Sequence, residues 1–134
     1  MTMRFTTFLL AAALPGAAAA EGARLELDCT FVTACEATGR CAPGDGPARF
    51  VVEPEAIDDD GTGLYTLWVD DGEGLTATGA SRTGPFAWTP EEDVRMQLAL
   101  TGESSALWIR QTLDTGGETP AGAEIDLMTC EVTF

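Results

Sequence analysis

The sequence predicts an all-β protein, a small antiparallel meander barrel of about eight strands that is closed by pairing of the first and last strands. Three observations predict this class. Apolar and polar residues alternate with a period of two over most of the chain. Clusters of Gly, Asp, Pro and Thr separate these stretches at short intervals, and cysteines lie near both ends. A two-sheet β-sandwich is the alternative.

The first and last strands carry the argument for closure. In RLELDCTFV, the apolar residues Leu25, Leu27 and Cys29 alternate with acidic residues, which indicates a half-buried strand. AEIDLMTCEVTF, at the C-terminus, is a second strand-like run and contains Cys130. An open meander would leave two strand edges free, whereas pairing the first strand with the last removes both.

Six further stretches are predicted as strands in chain order: ARFVVEP, GLYTLWVD, GLTATGA, PFAWTP, VRMQLAL and ALWIRQTLD. DDGEG forms a hairpin turn between the second and third of these. Pro85 and Pro90 bound PFAWTP, which suits an edge strand or a bend. In TPEEDVRMQLAL a helix start is limited to one turn, because alternation resumes at Val94.

Residues 1–20 are predicted to be a secretory signal peptide. Arg4 precedes the apolar run FTTFLLAAAL, and the small-residue run that follows offers a cleavage site at Ala18-x-Ala20. Residues 21–134 then form a single disulfide-stapled β domain, exported to the periplasm or out of the cell.

Export to an oxidising compartment favours disulfides for the four cysteines. The chain has no histidine and no C-x-x-C pair, which argues against a zinc site and a thioredoxin-like centre. The preferred pairing joins Cys29 to Cys130 across the closing strands and Cys35 to Cys41 around a tight loop. Pairing Cys35 with Cys130 is the second choice.

The charge balance excludes several partners. Without residues 1–20, six arginines face 22 Asp and Glu, a net charge of −16, and the chain contains no lysine. Phosphate groups of DNA, RNA and anionic lipids therefore meet no neutralising surface, so neither nucleic-acid binding nor membrane insertion is predicted. The field attracts cations and basic proteins instead, and the protein is predicted to be a monomer.

The residue inventory argues against an enzyme. Without histidine or lysine, Ser81, Ser104 and Ser105 have no base to activate them, so turn roles are predicted for these serines. A carboxylate pair, as in glycosidases, is the one catalytic arrangement left, and among 22 acids a close pair alone has little meaning. No cofactor is predicted.

The acidic turns offer a calcium site as a minor alternative. In IDDDGTG, Asp58 and Asp60 match two positions of an EF-hand loop, but Ala56 and Leu67 occupy two others that need oxygen ligands. The preferred interpretation is a solvated hairpin turn. The alternative is a loose surface site shared with Asp70 and Asp71.

The three tryptophans are candidates for packing or contact roles. Core or rim packing is predicted for Trp68 and Trp88. In ALWIRQTLD, alternation places Leu107, Ile109 and Leu113 on one face. Trp108 lies opposite this face, which predicts an outward side chain that contacts a partner.

Two resemblances accompany these patterns. The chain resembles small exported bacterial proteins of unknown function in LDCTFVTACEATGRC, a C-x5-C-x5-C start, and in the late cysteine of LMTCEVTF. ATGASRTGPFAWTPEEDVRMQL is more distantly similar to a segment of the membrane-bound inhibitor of c-type lysozyme, a small disulfide-tied barrel. That resemblance implies that Ser81, Phe86 and Trp88 contact a partner.

Three functions follow as expectations. The first is a secreted or periplasmic, non-enzymatic binding protein whose protein partner is unknown. The second is an inhibitor of a basic hydrolase such as lysozyme, attracted by the negative charge. The third is a lipocalin-like carrier of a small apolar ligand.

Overall fold

The computed structural model describes residues 24–117 and 120–134, which form nine antiparallel strands. They are β1 (Leu25–Glu36), β2 (Cys41–Pro43), β3 (Pro47–Ile57), β4 (Gly63–Val69), β5 (Leu75–Gly79), β6 (Phe86–Glu91), β7 (Val94–Gly102), β8 (Ser105–Thr112) and β9 (Gly122–Thr133). The predicted signal peptide, residues 1–20, lies outside the described residues.

Eight of these strands form a closed barrel. Neighbours in the sheet follow the order β1, β3, β4, β5, β6, β7, β8 and β9, and β9 pairs back onto β1. The last pairing extends from Glu26↔Thr133 to Glu36↔Glu124, with one bulge between Phe31 and Thr33. The predicted antiparallel barrel with first–last closure is thus confirmed, and the sandwich alternative is not observed.

Both disulfides are paired as predicted, and one of them ties this closure. Cys29 and Cys130 are directly opposite in the β1–β9 register, and their sulfurs are bonded. Cys35 is bonded to Cys41 at the start of β2. The segment CEATGRC was predicted as a tight loop alone, but Cys41 continues into β2, a ninth short strand that pairs with the end of β1.

The barrel interior is filled by large side chains. Phe86 packs edge-on against Tyr65, with ring centres 4.9 Å apart, and Phe50 packs edge-on against Trp108 at 5.2 Å. Leu27, Leu67 and other buried aliphatics fill the space between these pairs. Alternation along each strand therefore separates a packed inner face from an outer face.

Two sequence expectations concern the β5–β7 region. PFAWTP was predicted as an edge strand or bend, and it forms β6 within the barrel wall, with a register irregularity between Trp88 and Glu91 that includes Pro90. β6 nevertheless shares only two register pairs with β5. The part of the chain that the structure describes contains no helix, so TPEEDVRMQLAL continues from β6 through a turn into β7.

Candidate functional site

The most distinctive surface of the molecule is a square of four branched aliphatic side chains on the outer face of β8 and β9. The members, called the outer patch below, are Leu107, Ile109, Ile125 and Leu127. Leu107 is directly opposite Leu127, and Ile109 is directly opposite Ile125. Opposed residues on one sheet face are in contact range, so the four side chains form one continuous apolar surface.

Exposure distinguishes the outer patch from ordinary half-buried surface. Leu127 is 44% exposed and Ile125 is 37% exposed, while Leu107 and Ile109 are partly covered. On β1, which pairs with β9, Thr33 is opposite Leu127 and Cys35 is opposite Ile125. The outer face of β8 and β9 therefore continues onto β1. The Cys35–Cys41 disulfide thus lies at one border of the outer patch.

Acidic side chains lie beyond a second border. Along the outer face of β9, Thr129 separates Leu127 from Glu131, which is directly opposite Asp28 of β1. Arg49 lies 3.5 Å from Asp28 but forms its shorter contact, 3.0 Å, with Glu26. Carboxylates therefore outnumber guanidinium groups at this border, in a chain of net charge −15.

The inner face of the same two strands is polar where the outer face is apolar. Arg110 forms ion pairs with Glu124 and with Asp126, the latter at 3.1 Å. Its guanidinium carbon also lies 4.9 Å from the centre of the Trp108 ring. Asp126 is only 2% exposed, whereas the side chains of Arg110 and Glu124 are 38% and 44% exposed, so the cluster extends from the barrel interior to the surface.

Burial affects the ionisation of Asp126. Desolvation raises the pKa of the Asp126 carboxyl, and the positive charge of Arg110 opposes this effect without cancelling it. Asp126 and Glu124 are the kind of close carboxyl pair that a glycosidase would use. A substrate cannot reach a side chain that is 97% enclosed and paired to an arginine, so the pair has the geometry of a structural cluster.

The structure places Trp108 differently from the sequence prediction. Trp108 is 9% exposed and packs in the core against Phe50, so the predicted outward side chain is wrong. Its neighbours Leu107 and Ile109 are the outward ones. The physical reason is volume: an eight-stranded barrel needs large side chains to fill its interior, and an aromatic ring fills it better than a leucine.

The other predicted contact residues are also inside the fold or used by it. Phe86 is 1% exposed and Trp88 is 4% exposed, which confirms the core position expected for Trp88. The Ser81 hydroxyl donates a 2.6 Å hydrogen bond to the Gly84 carbonyl and so fixes the β5–β6 loop. Trp68, for which core or rim packing is predicted, lies half-buried on the outer face of β4 opposite Val51 of β3, so a core position is wrong for this residue.

The acidic turns do not come together. Asp58 and Asp60 lie in the β3–β4 turn, whereas Asp70 and Asp71 follow the other end of β4. A seven-residue strand spans about 20 Å, so a site shared between the turns is ruled out. The Asp60 carboxylate accepts a 2.8 Å hydrogen bond from the Thr62 amide, which lowers its pKa and holds the predicted hairpin turn.

The outer patch was missed by sequence reasoning, although its signal was present. IRQ and EIDLM both alternate, so each strand offers two faces of equal regularity, and the outward position predicted for Trp108 assigns the aliphatic face of ALWIRQTLD to the interior. The polar residues Arg110 and Asp126 lie on the same face as Trp108. Their polarity argued against an inner position for that face.

Comparison of the chain with protein families, with curated proteins and with solved structures finds no match. Within residues 24–117 and 120–134 there is no helix long and apolar enough to cross a membrane.

Proposed function

We propose that this chain is an exported, non-enzymatic binding protein that holds a basic protein partner on the outer patch. The observation that carries the proposal is the square of Leu107, Ile109, Ile125 and Leu127 on the outside of the barrel. Single exposed apolar residues are normal on protein surfaces, but four adjacent ones typically mark an interaction site.

Covering the outer patch provides the driving force for binding. Fully burying a leucine or isoleucine side chain contributes roughly 1.5–3 kcal/mol. Ile125 and Leu127 retain more than a third of their surface in water, so a partner gains a substantial part of this amount from each. The strands beneath are held by the closed sheet and by Cys29–Cys130, so binding does not require ordering of this surface.

The charge of the chain selects a basic partner. Asp28 and Glu131 lie just beyond the outer patch, and the chain carries 22 acids against seven arginines. A second copy would bring an equally negative surface to the same place, and the repulsion opposes self-association. A partner with lysines or arginines around an apolar centre complements both features of the surface.

The absence of histidine and lysine from the sequence supports a binding role over catalysis. Ser81, the serine in the loop that resembles the lysozyme inhibitors, uses its hydroxyl within that loop. The two disulfides are consistent with an oxidising extracellular compartment, which supports export.

The test is a pair of charge-matched variants, Leu127→Glu in the outer patch and Leu64→Glu on β4. Both leucines are 44% exposed and lie in strands, so each change adds one charge at an equally accessible position. Extracellular and envelope extracts are passed over wild type and both variants, and captured proteins are identified by mass spectrometry. We expect a basic protein held by wild type and Leu64→Glu but lost with Leu127→Glu, with weaker capture at high salt.

Equal capture by all three proteins, or capture of no basic protein at any salt concentration, would contradict the proposal. Lysozyme of the c type is the defined probe for the alternative of a hydrolase inhibitor, measured as loss of its activity. If the inhibition of lysozyme disappears with Ser81→Ala and persists with Leu127→Glu, lysozyme binds at the β5–β6 loop rather than at the outer patch. A carrier of a small apolar ligand would need a cavity inside the barrel. Phe50, Tyr65 and Trp108 pack in that interior, which does not favour this alternative.

A further inference from the structure

The bulge in β1 changes which side chains of this strand lie outside the barrel. Cys29 is 4% exposed and faces the core. Continued alternation would place Cys35 on the same inner face, but the register shifts by one residue between Phe31 and Thr33. Cys35 is therefore opposite Ile125 of the outer patch, and its disulfide lies on the outside. Bulges commonly re-aim side chains in this way, and this one extends the outer face of β9 onto β1.

Val32 is the extra residue of this bulge, and its side chain is 48% exposed. The Gly44 amide donates a 2.9 Å hydrogen bond to the Val32 carbonyl, so the segment that follows β2 holds the bulge in place. Val32 directly precedes Thr33, which is opposite Leu127. The bulge therefore adds an exposed aliphatic side chain beside the outer patch.

The surroundings of the outer patch on β7, β8 and β9 are uncharged at the next outward positions. Gln97 and Ala99 of β7 lie beside it in the register, and Gln111 and Ala123 continue it along β8 and β9. Neither the outer patch nor these four neighbours include Asp or Glu, in a chain that contains 22 of them. A partner that covers this area meets apolar and amide side chains, so its own centre of contact is apolar.

Carboxylates lie beyond both ends of this uncharged area. Glu103 is exposed in the β7–β8 turn, and Glu131 is exposed on β9 beyond Leu127. At the other end, Asp114 is exposed just after β8, and Glu92 is exposed in the turn before β7. β8 lies between the two ends, and its eight residues span about 23 Å. The face thus has an apolar centre between two acidic ends.

We infer that the partner contacts this face with a segment that is apolar in its middle and basic at both ends, and that Val32 is part of the contact. The inference rests on the proposed function and specifies the contacting segment of the basic partner. Lysines or arginines at the two ends of the segment meet the carboxylates, which favours one placement along β8. A cation in the middle would lose water against aliphatic side chains and find no carboxylate, so that arrangement is disfavoured.

Three synthetic peptides test the arrangement of charge. The first has lysines at both ends and alternating leucine and serine between them, the second has the same composition with all lysines at one end, and the third is the first with glutamate in place of lysine. Binding to the disulfide-bonded protein is measured at low salt by fluorescence anisotropy of the labelled peptides. We expect the first peptide to bind at least about fivefold more tightly than the second, and the third not to bind.

Two matched pairs of variants locate the contact of the first peptide. Val32→Ser is expected to weaken binding about fivefold because burial of the valine is lost, whereas Leu64→Ser, at a similarly exposed position on β4, leaves it unchanged. Asp114→Asn is expected to weaken binding about twofold, the size of an exposed ion pair. Asp58→Asn removes the same charge from the β3–β4 turn and is expected to have no effect.

Equal affinity for the two lysine peptides, no binding of either, or equal effects of Val32→Ser and Leu64→Ser would overturn the inference. The proposed function is tested separately, by capture of a basic protein that is lost with Leu127→Glu. Such capture without binding of the first peptide would leave the proposed function standing and exclude this form of the contacting segment.

Discussion

The inner and outer faces of β8 and β9 are built from opposite chemistry. The residues of the inner face are Trp108, Arg110, Asp126 and Met128, and those of the outer face are Leu107, Ile109, Ile125 and Leu127. Asp126 is thus enclosed and Arg110 and Glu124 are partly exposed, while Ile125 and Leu127 contact water. Arg110 forms ion pairs with both Glu124 and Asp126 and so offsets part of their charge, whereas Ile125 and Leu127 remain exposed.

This difference shows what alternation can and cannot establish. A period of two assigns residues to the same face, but it does not say which face is inside. Here the volume of Trp108 decides, because its ring packs against Phe50 and lies 6.2 Å from the ring of Phe31. The partner proposed above would cover this aliphatic face, which the barrel leaves outside.

The largest effect on stability is expected from the two disulfides, because Cys29–Cys130 lies in the barrel interior and Cys35–Cys41 lies on the outer face. Replacing Cys29 and Cys130 with alanine opens a loop of 101 residues and is expected to cost about 4.7 kcal/mol of the free energy of unfolding. Replacing Cys35 and Cys41 opens a separation of six residues and is expected to cost about 2 kcal/mol. Urea unfolding of both double variants measures the difference.

The inner pair is also part of the packed core, so its removal adds to the entropic loss. Non-reducing peptide mapping of the wild type provides the control that both bonds are formed. Equal destabilisation by the two double variants would contradict the view that the β1–β9 closure holds the barrel while the outer disulfide fixes only the border of the outer patch.

Neighbouring residues of β8 give the second test. Trp108→Ala removes a core ring and its contact with Arg110, and is expected to cost roughly 3–5 kcal/mol. Leu107→Ala removes one cross-strand contact on the outer face and is expected to cost about 1 kcal/mol or less. Thermal and urea unfolding provide the values. A loss for Leu107→Ala equal to that for Trp108→Ala would mean that the outer patch supports the fold rather than a partner.

Much of the fold was predictable because its determinants are local. Alternation located the strands, Gly and Asp located the hairpin turns, and the distance between Cys29 and Cys130 in sequence indicated first–last closure. β2 was missed because a three-residue strand has too little pattern to detect, and its pairing depends on the Cys35–Cys41 bond beside it.

The candidate site was not predictable to the same degree because it depends on register. Which residues of β8 and β9 stand opposite one another decides whether Leu107 and Leu127 form one surface, and alternation does not contain that information. The prolines around β6 predicted an edge strand or a bend, and the edge position is wrong because β6 lies between β5 and β7 in the barrel wall.

The smallest expected effect concerns the inner charges, and Asp126→Asn tests it. Because burial raises the pKa of Asp126, the folded chain binds this proton more tightly than the unfolded chain, whose aspartates titrate near pH 3.9. The contribution of Asp126 to stability is therefore fully present below about pH 3.9 and is lost as the pH rises through the raised pKa of the folded state.

Asparagine has no proton to lose and can still accept a hydrogen bond from Arg110, which also keeps its ion pair with Glu124. Asp126→Asn is thus expected to be at least as stable as wild type at pH 7, with a difference that shrinks toward pH 4. Urea unfolding at several pH values measures it, with Glu131→Gln on the outer face of β9 as the control for loss of one charge. A wild-type advantage that grows as the pH rises would mean that attraction to Arg110 outweighs desolvation, and that the enclosed charges stabilise the barrel rather than burden it.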